Sequence, residues 1–212
     1  MSSGILSASA SSRIAVFNAL CKLLDEKSLD DISARELCEQ AEVGKSTFYT
    51  YFQDKYDVLL WYSDLAHEVG VGQIGRTMTW EEGHRITTEA ILAEADALNR
   101  GAESHDINSI NPHSARWRED SIILTLTKYR DVRLTEKLRY QIAALATGEI
   151  TIAQRYFKAE KRMPLDDYID TMISIVPSDL YRLLEKPLCL PDQTEENKRR
   201  MLELTILQMQ RH

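Results

Sequence analysis

The chain of 212 residues has little of what marks several large classes of protein. Its 8 glycines and 5 prolines are too few for a collagen-like or low-complexity chain, and with 43% hydrophobic residues it is not wholly disordered. No apolar run approaches the roughly 18–20 residues that a membrane span requires. The start, MSSGILSASASS, has no basic segment and only a short apolar stretch, unlike a secretory signal. We therefore expect one or two compact domains in the cytoplasm.

Cysteine is also scarce. Cys21, Cys38 and Cys189 are an odd number of thiols without CxxC spacing. Cys21 and Cys38 lie within amphipathic patterns, which predicts small buried side chains in a reducing compartment. No nucleophile and base stand at a catalytic spacing, so we expect no enzyme and no cofactor. Four of the five histidines, His67, His84, His105 and His113, have no metal-ligand spacing such as HxxxH, which predicts no metal site.

Positive charge is in short supply as well. The chain has 26 Lys and Arg against 33 Asp and Glu, a net charge of −7. Within residues 1–60 there are six basic and nine acidic residues. Proteins that hold DNA mainly through bulk positive charge have the opposite balance. The composition argues weakly against nucleic acid, and it limits any DNA binding to a few well-placed contacts.

Apolar residues recur at helical spacing through most of the chain. In the first segment, Arg13–Lys27, Phe17 and Leu24 share one face, and Ser11 or Ser12 can cap it. Later helical segments are predicted from Asp54 to 70, from Thr79 to Gly101, from Leu134 onward, over 165–186 and over 194–211. A glycine-rich break at 70–75 follows the first of these. Pro177 predicts a kink within 165–186, and Thr194 is the predicted cap of the last segment. Residues 102–116 have a loop-like composition, and 122–127 suit either a strand or a buried helix. The pattern predicts an all-α protein.

Two glycine motifs resemble phosphate-binding loops. Gly44-Lys45-Ser46-Thr47 ends like a nucleotide loop, but Glu39 stands where that motif has a glycine, and no strand precedes it. Residues 70–75 match GxGxxG, yet they follow a helical pattern rather than a strand. We therefore assign no nucleotide to either motif and interpret the second as a helix break.

Residues 33–52, SARELCEQAEVGKSTFYTYF, have the spacing of a helix-turn-helix. A short helix capped by the Ser33 and Glu36 box must end near Gly44, and a second short helix follows. Phe48 and Phe52 are four apart on one face of that helix, while hydroxyl groups and one cation occupy the other. Such a face can hydrogen-bond to base edges and phosphate oxygens without a large charge. A plain helical hairpin has the same spacing, so both interpretations stay open on spacing alone.

Residues 13–62 resemble the DNA-binding domain of the tetracycline-repressor (TetR) family of transcriptional regulators. The specific part is TFYTYFQDKYDVL at 47–59, in which F-Y-x-Y-F precedes x-x-K. The resemblance implies an all-α homodimer with a flexible lead-in at 1–10, a three-helix helix-turn-helix domain at 11–70 and a C-terminal regulatory and dimerisation domain at 71–212. It places the dimer contacts at about 165–186 and 194–211. This chain departs from the family at Glu42, where glycine is usual, and at Gly44, where serine usually caps the recognition helix.

The resemblance also assigns roles to side chains. Lys45, Ser46, Thr47 and Thr50 would face the major groove, and Tyr49 would contact phosphate. Arg35 and Lys55 would contact the DNA backbone. Six aromatic residues are candidates for lining an effector pocket: Trp61, Tyr62, Trp80, Trp117, Tyr129 and Tyr140.

We therefore expect a homodimeric, ligand-responsive transcriptional regulator, a repressor released from a palindromic DNA operator by a small molecule. One alternative is a regulator of the same fold that is controlled by a protein or is constitutive. Another is an all-α enzyme or scaffold without a DNA role. The acidic composition predicts poor nonspecific DNA affinity and a shallow salt dependence.

Overall fold

The computed structural model describes residues 8–101 and 110–210, and in those ranges it is helical with no strand beyond one isolated bridge. The predicted all-α fold is confirmed. The helices are α1 (Ala8–Leu24), α2 (Ala34–Gln40), α3 (Lys45–Tyr51), α4 (Lys55–Val69), α5 (Trp80–Ala93), α6 (Ala95–Gly101), α7 (Ile110–Leu124), α8 (Glu136–Lys158), α9 (Leu165–Ser174), α10 (Ser178–Leu184) and α11 (Pro191–Met209). A 3₁₀ turn follows α4 at Val71–Gln73, and a π-helical turn follows α7 at Thr125–Tyr129.

The first helix begins earlier than the sequence suggests. It starts at Ala8, so the proposed lead-in at 1–10 overlaps its first turn, while residues 1–7 lie outside the described ranges. Ser12 is inside the helix, where its hydroxyl donates to the Ala8 carbonyl at 3.0 Å instead of capping. The apolar face is as predicted, since Phe17, Leu20 and Leu24 are buried.

The boundaries in the second half differ at several places. Residues 110–116 are helical rather than a loop, and 102–109 lie outside the described residues. The ambiguous segment 122–127 is the end of α7 and the start of the π turn. Residues 165–186 form two helices separated at Pro177 rather than one kinked helix. The final helix begins at Pro191, and the Thr194 hydroxyl donates to the Leu190 carbonyl at 3.0 Å instead of capping.

The largest core joins both halves of the chain. It is built from α1 to α4, and it includes Leu204 and Leu207 of α11. The Arg13 guanidinium lies 3.1 Å from the Glu203 carboxylate, and the Asn197 amide donates to the Val69 carbonyl at 3.4 Å. The last helix therefore packs back onto the N-terminal helices of its own chain. A second core lies between α7, α8 and α10, and a third between α8 and α9.

The cysteine side chains differ in exposure. Cys21 and Cys38 are buried as predicted, and Cys189 is exposed.

The GxGxxG motif marks a close crossing of two helices. A Cβ at Gly70 would lie 2.2 Å from Thr87 Oγ1 and 2.7 Å from the Gly83 carbonyl oxygen, so only glycine fits where α4 ends against α5. The Thr87 hydroxyl accepts from the Val71 N–H at 2.9 Å and donates to the Ala66 carbonyl at 3.3 Å. These contacts fix the C-terminal end of α4 on α5, and they explain the motif without a nucleotide.

Candidate functional site

The N-terminus of α2 is capped by Ser33 as the sequence predicts, but only one of the two hydrogen bonds of the predicted capping box is formed. Ser33 Oγ accepts from the Glu36 N–H at 3.1 Å. The reciprocal half of the box is replaced, because the Glu36 carboxylate pairs with the Lys27 ammonium. That ion pair holds the C-terminal end of α1 against the start of α2.

The turn between α2 and α3 is a Schellman motif with Glu42 at its left-handed position. The Val43 N–H donates to the Cys38 carbonyl at 3.0 Å, and the Glu42 N–H donates to the Glu39 carbonyl at 3.3 Å. Those bonds require a left-handed residue between them, and Glu42 has φ +54°. Val43 packs against the core beside this turn. The turn therefore ends α2 abruptly and fixes the start of α3.

The exposed face of α3 holds the predicted DNA-contacting side chains. The helix begins after Gly44, whose backbone is extended and which supplies no side-chain cap. Phe48 is fully buried and packs edge-on against Tyr49, with ring centres 5.2 Å apart. Tyr49 itself is 58% exposed, and the Thr50 hydroxyl donates to the Ser46 carbonyl at 2.9 Å. On the same helix Lys45, Ser46 and Thr50 are exposed and Thr47 is half-buried.

The three cations predicted to contact DNA, Arg35 and Lys55 at the backbone and Lys45 in the major groove, are differently placed. Arg35 is exposed and pairs with Glu39, with Nε 2.8 Å from the carboxylate; this hydrogen bond raises the pKa of Arg35 further. The Lys55 ammonium donates to the Asp30 and Ile32 carbonyls at 2.8 Å each. Lys55 thus ties the start of α4 to the loop before α2. Within the described residues, Lys45 has no polar partner in its own chain.

A cavity of about 220 Å³ lies behind the DNA-binding helices, among α4 to α9. Leu59, Ser63 and His67 of α4 form one wall, so the helix that follows the helix-turn-helix also bounds the cavity. The remaining lining is mixed: Leu98, Ile150, Phe157 and Met172 are among its apolar residues, and Thr87, Thr88, Asn99 and Gln154 are among its polar ones.

A buried charged cluster forms one end of this cavity. Arg118 Nε donates to Glu149 Oε2 at 2.6 Å and Arg118 Nη2 donates to Oε1 at 3.2 Å, while Nη1 donates to the Val71 carbonyl at 2.9 Å. His84 Nε2 lies 3.3 Å from Glu149 Oε1 without the alignment of a hydrogen bond, and it has no other partner among the described residues. Burial opposes ionisation of Glu149, yet the charge of Arg118 outweighs it and lowers the pKa of the carboxyl to about 2. All three residues are at most 3% exposed.

Two further polar rings line the cavity. His67 Nδ1 is 2.7 Å from the Ser63 carbonyl oxygen, which can only accept, so Nδ1 bears the proton. Burial lowers the pKa of His67, which keeps its ring neutral at physiological pH. Tyr168 is buried, and burial raises the pKa of its phenol, so its hydroxyl stays protonated.

None of the six aromatic residues proposed for a pocket is part of this lining, as far as the structure describes it. Tyr62 and Trp80 are core residues, Trp61 packs against Phe17, and Tyr140 is 69% exposed. Trp117 and Tyr129 line a separate, more polar cavity of about 390 Å³ between α4, α7 and α11.

The cavity residues that sequence reasoning missed are charged side chains on amphipathic helices. Arg118 and Glu149 resemble ordinary surface charges when each is considered alone. One pattern could have found the carboxylate: Glu149 occupies the next position of the buried stripe formed by Leu138, Ile142 and Leu145 in α8.

Neither a metal-binding cluster nor a membrane-spanning helix occurs among the described residues. They contain no group of three His, Cys, Asp or Glu side chains close enough to hold a metal ion, and His105 lies outside them. No helix among them is both long and apolar enough to cross a membrane.

Comparison with known proteins bears on the N-terminal domain and the fold. Residues 16–60 match the family model of bacterial regulatory proteins, tetR family. A crystal structure of a TetR transcriptional regulator from Rhodococcus sp. RHA1 superposes with a TM-score of 0.53 at 18% identity, covering 77% of this chain and 93% of that one. The structure of RolR (NCGL1110) without ligand gives a TM-score of 0.41 at 16% identity, covering 82% and 96%. No curated protein matches the sequence. The helix-turn-helix at residues 16–60 thus matches the tetR family of bacterial regulatory proteins, and the chain shares its fold with a solved TetR transcriptional regulator.

Proposed function

We propose that this protein is a homodimeric transcriptional regulator, a repressor that a small molecule releases from a palindromic operator. The observation that most supports this function is the position of α4. Its N-terminal residue Lys55 holds the loop before α2, while Leu59, Ser63 and His67 of the same helix bound the cavity. One rigid element therefore joins the DNA-binding domain to a place where a ligand fits.

The exposed face of α3 supports sequence-specific contact more than charge-driven contact. Lys45, Ser46, Thr47 and Thr50 can approach base edges, and the Tyr49 hydroxyl can donate to a phosphate oxygen. Arg35 can exchange Glu39 for a phosphate, since an exposed ion pair contributes little to stability. Lys55 is held by two carbonyl oxygens, so we assign it to positioning α4 rather than to DNA contact.

Regulation follows from the rigidity of α4. The helix has 15 residues and spans about 22 Å, and its far end is fixed against α5 at Gly70. A ligand that binds better to one orientation of α4 shifts the population toward that orientation. If that orientation sets the wrong separation between two recognition helices, DNA affinity falls by the ratio of the ligand's affinities for the two states.

Self-association has structural support in the segments named from the sequence. Leu202 and Met209 of α11 are 39% and 75% exposed, and Ile175 at the end of α9 is 37% exposed. The buried side of α11 faces its own α1 and α4, which leaves this second apolar side for a partner. A dimer would place two recognition helices about 34–36 Å apart, one turn of the duplex.

The decisive experiment is salt-dependent binding to the DNA that flanks the protein's own gene. Thr47→Ala and Tyr49→Phe should each weaken binding to that DNA. The matched control is Tyr140→Phe, which removes the same hydroxyl from an exposed tyrosine on α8. Equal binding by all of these variants would exclude α3 as the recognition helix.

The salt dependence tests the proposed mode of contact. If Arg35 and Lys45 are the cations that each subunit brings to the DNA, a dimer releases few counterions, and the logarithmic slope should be no steeper than about −4. Binding that is equally tight on scrambled DNA would contradict a specific regulator. Specific binding that no small molecule weakens would favour the regulator without an effector, and absence of DNA binding would favour the enzyme or scaffold.

A further inference from the structure

We infer that the cavity among α4 to α9 binds a small uncharged molecule, about the size of a substituted six-membered ring, whose hydroxyl group meets the Arg118, Glu149 and His84 cluster. The inference rests on the proposed function in one respect only, because it takes this cavity as the effector site. It concerns the chemical class of the effector.

The volume and the walls set the size and the body of the ligand. A dry apolar cavity of about 150 Å³ accommodates benzene, and this cavity measures about 220 Å³. Ile91, Leu98, Ile150 and Phe157 are among the apolar residues of its lining. In proportion, this cavity accommodates a single ring with a short substituent.

The state of the buried charges excludes a charged ligand. Arg118 is paired with Glu149 through two nitrogens and with the Val71 carbonyl through the third. A carboxylate or phosphate would therefore enter beside Glu149 without an unpaired buried cation to receive it. An ammonium group would enter beside Arg118, whose charge already neutralises Glu149. Lys158 also lines the cavity but is exposed, so water screens its charge.

The remaining hydrogen-bonding capacity favours a donor. An ionised carboxylate offers about four lone-pair sites, and Arg118 occupies two of those on Glu149. His84 is 2% exposed, and its Nε2 has no aligned partner. A ligand hydroxyl can donate to the free lone pairs of Glu149 and supply the missing partner at the imidazole. A buried polar group without a partner is costly, so a purely apolar ligand leaves this end of the cavity unsatisfied.

The test uses four probes that share one ring and differ in charge and polarity: toluene, benzyl alcohol, benzoate and benzylammonium. Each is titrated into the full-length protein at pH 7 without DNA, by calorimetry and by the shift in melting temperature. We expect benzyl alcohol to bind about tenfold more tightly than toluene, the effect of one hydrogen bond to a charged group. Benzoate and benzylammonium should give no heat at concentrations that saturate with the alcohol.

Two variants establish where the probe binds. Ala153 lines the cavity on α8, and Ala153→Phe fills it, which should abolish binding of every probe. Glu149→Gln leaves the Arg118 charge unpaired and should reverse the preference, so that benzoate binds at least about tenfold more tightly than the alcohol. Because loss of a buried ion-pair partner can prevent folding, the wild-type probe series decides the question without this variant.

Three results would overturn the inference: tighter binding of benzoate or benzylammonium than of the alcohol, equal binding of toluene and the alcohol, or alcohol binding that survives Ala153→Phe. DNA binding is measured separately and without probes. A protein that binds the alcohol but no operator would refute the proposed function and leave the ligand class standing. A protein that binds its operator but prefers a charged probe would support the proposed function and overturn the inferred ligand class.

Discussion

Replacing Glu42 with glycine should stabilise this protein, although the substitution removes a side chain and adds flexibility to the unfolded chain. Residue 42 is the left-handed residue of the Schellman turn that ends α2, with φ +54°. A side chain with a Cβ costs about 1–2 kcal/mol in that conformation, because the Cβ approaches the next carbonyl oxygen. Glycine avoids this cost.

The gain is reduced by the greater freedom of glycine in the unfolded chain. That freedom costs about 0.5–1 kcal/mol, so we expect Glu42→Gly to raise the free energy of unfolding by about 0.5–1 kcal/mol. For a chain of this length the melting temperature should rise by about 1–4 °C. Denaturation in urea and thermal unfolding followed by circular dichroism measure both quantities.

Glu42→Ala is the matched control, because it removes the same carboxylate but keeps the Cβ. It should leave the stability within about 0.5 kcal/mol of wild type. Both variants delete one acidic group next to the DNA-binding surface, so both should strengthen DNA binding to a similar degree. If alanine stabilised the protein as much as glycine did, the cause would be charge, and the backbone argument would be refuted.

Substitutions at four other positions test separate features of the structure. The backbone of Gly44 is already extended, so Gly44→Ser adds a cap and should stabilise the start of α3 by a few tenths of a kcal/mol. Gly44→Ala adds no cap and should destabilise the same helix start. Unfolding in urea distinguishes the two variants. Gly70→Ala should prevent normal folding, since its Cβ would lie 2.2 Å from Thr87 Oγ1, whereas Gly148→Ala in the interior of α8 should stabilise by about 1 kcal/mol; thermal melts of both variants check this contrast. Burial lowers the pKa of His67 below its ordinary 6.5, so the unfolded chain binds a proton that the folded chain excludes. The free energy of unfolding should therefore decrease as pH falls below about 6.5, by up to about 1.4 kcal/mol per unit for this group, and His67→Gln should flatten that dependence in urea titrations between pH 8 and 5.

The sequence predicted best where structure depends on neighbouring residues. The helix-turn-helix follows from local spacing: Phe48 and Phe52 are on one face, Asp54 caps α4 through the Tyr56 and Asp57 N–H groups, and the chain turns at residue 42. The prediction was wrong where the amino-acid composition suggested a loop but the place of the residues in the chain allowed a helix. Pro112 made residues 102–116 look like a loop, yet it lies in the first turn of α7, where the missing N–H has no helical partner to lose.

The cavity could not be predicted because its chemistry depends on distant segments. Arg118 and Glu149 are 31 residues apart on different helices, and the burial of both depends on how α7 packs on α8. Aromatic residues were the natural candidates for a pocket, but most of them stabilise the cores instead. Tyr62 shows why: its ring stacks on Phe17 at 4.5 Å, and its hydroxyl donates to the Ala90 carbonyl at 2.6 Å, so it has no free group to offer a ligand.

The return of α11 onto the N-terminal helices has a consequence for how this protein can be divided. Leu204 and Leu207 occupy the same core as Phe17 and Leu20, although nearly the whole chain separates them in sequence. Part of the hydrophobic core of the N-terminal helices is therefore formed by side chains from the other end of the polypeptide. Cutting the chain after α4 would expose that interior to water, and transplanting residues 1–70 onto another C-terminal domain would require a new helix of matching shape. The N-terminal helices and the last helix share one folding unit, so a mutation that loosens the last helix should disturb the helix-turn-helix from the far end of the sequence.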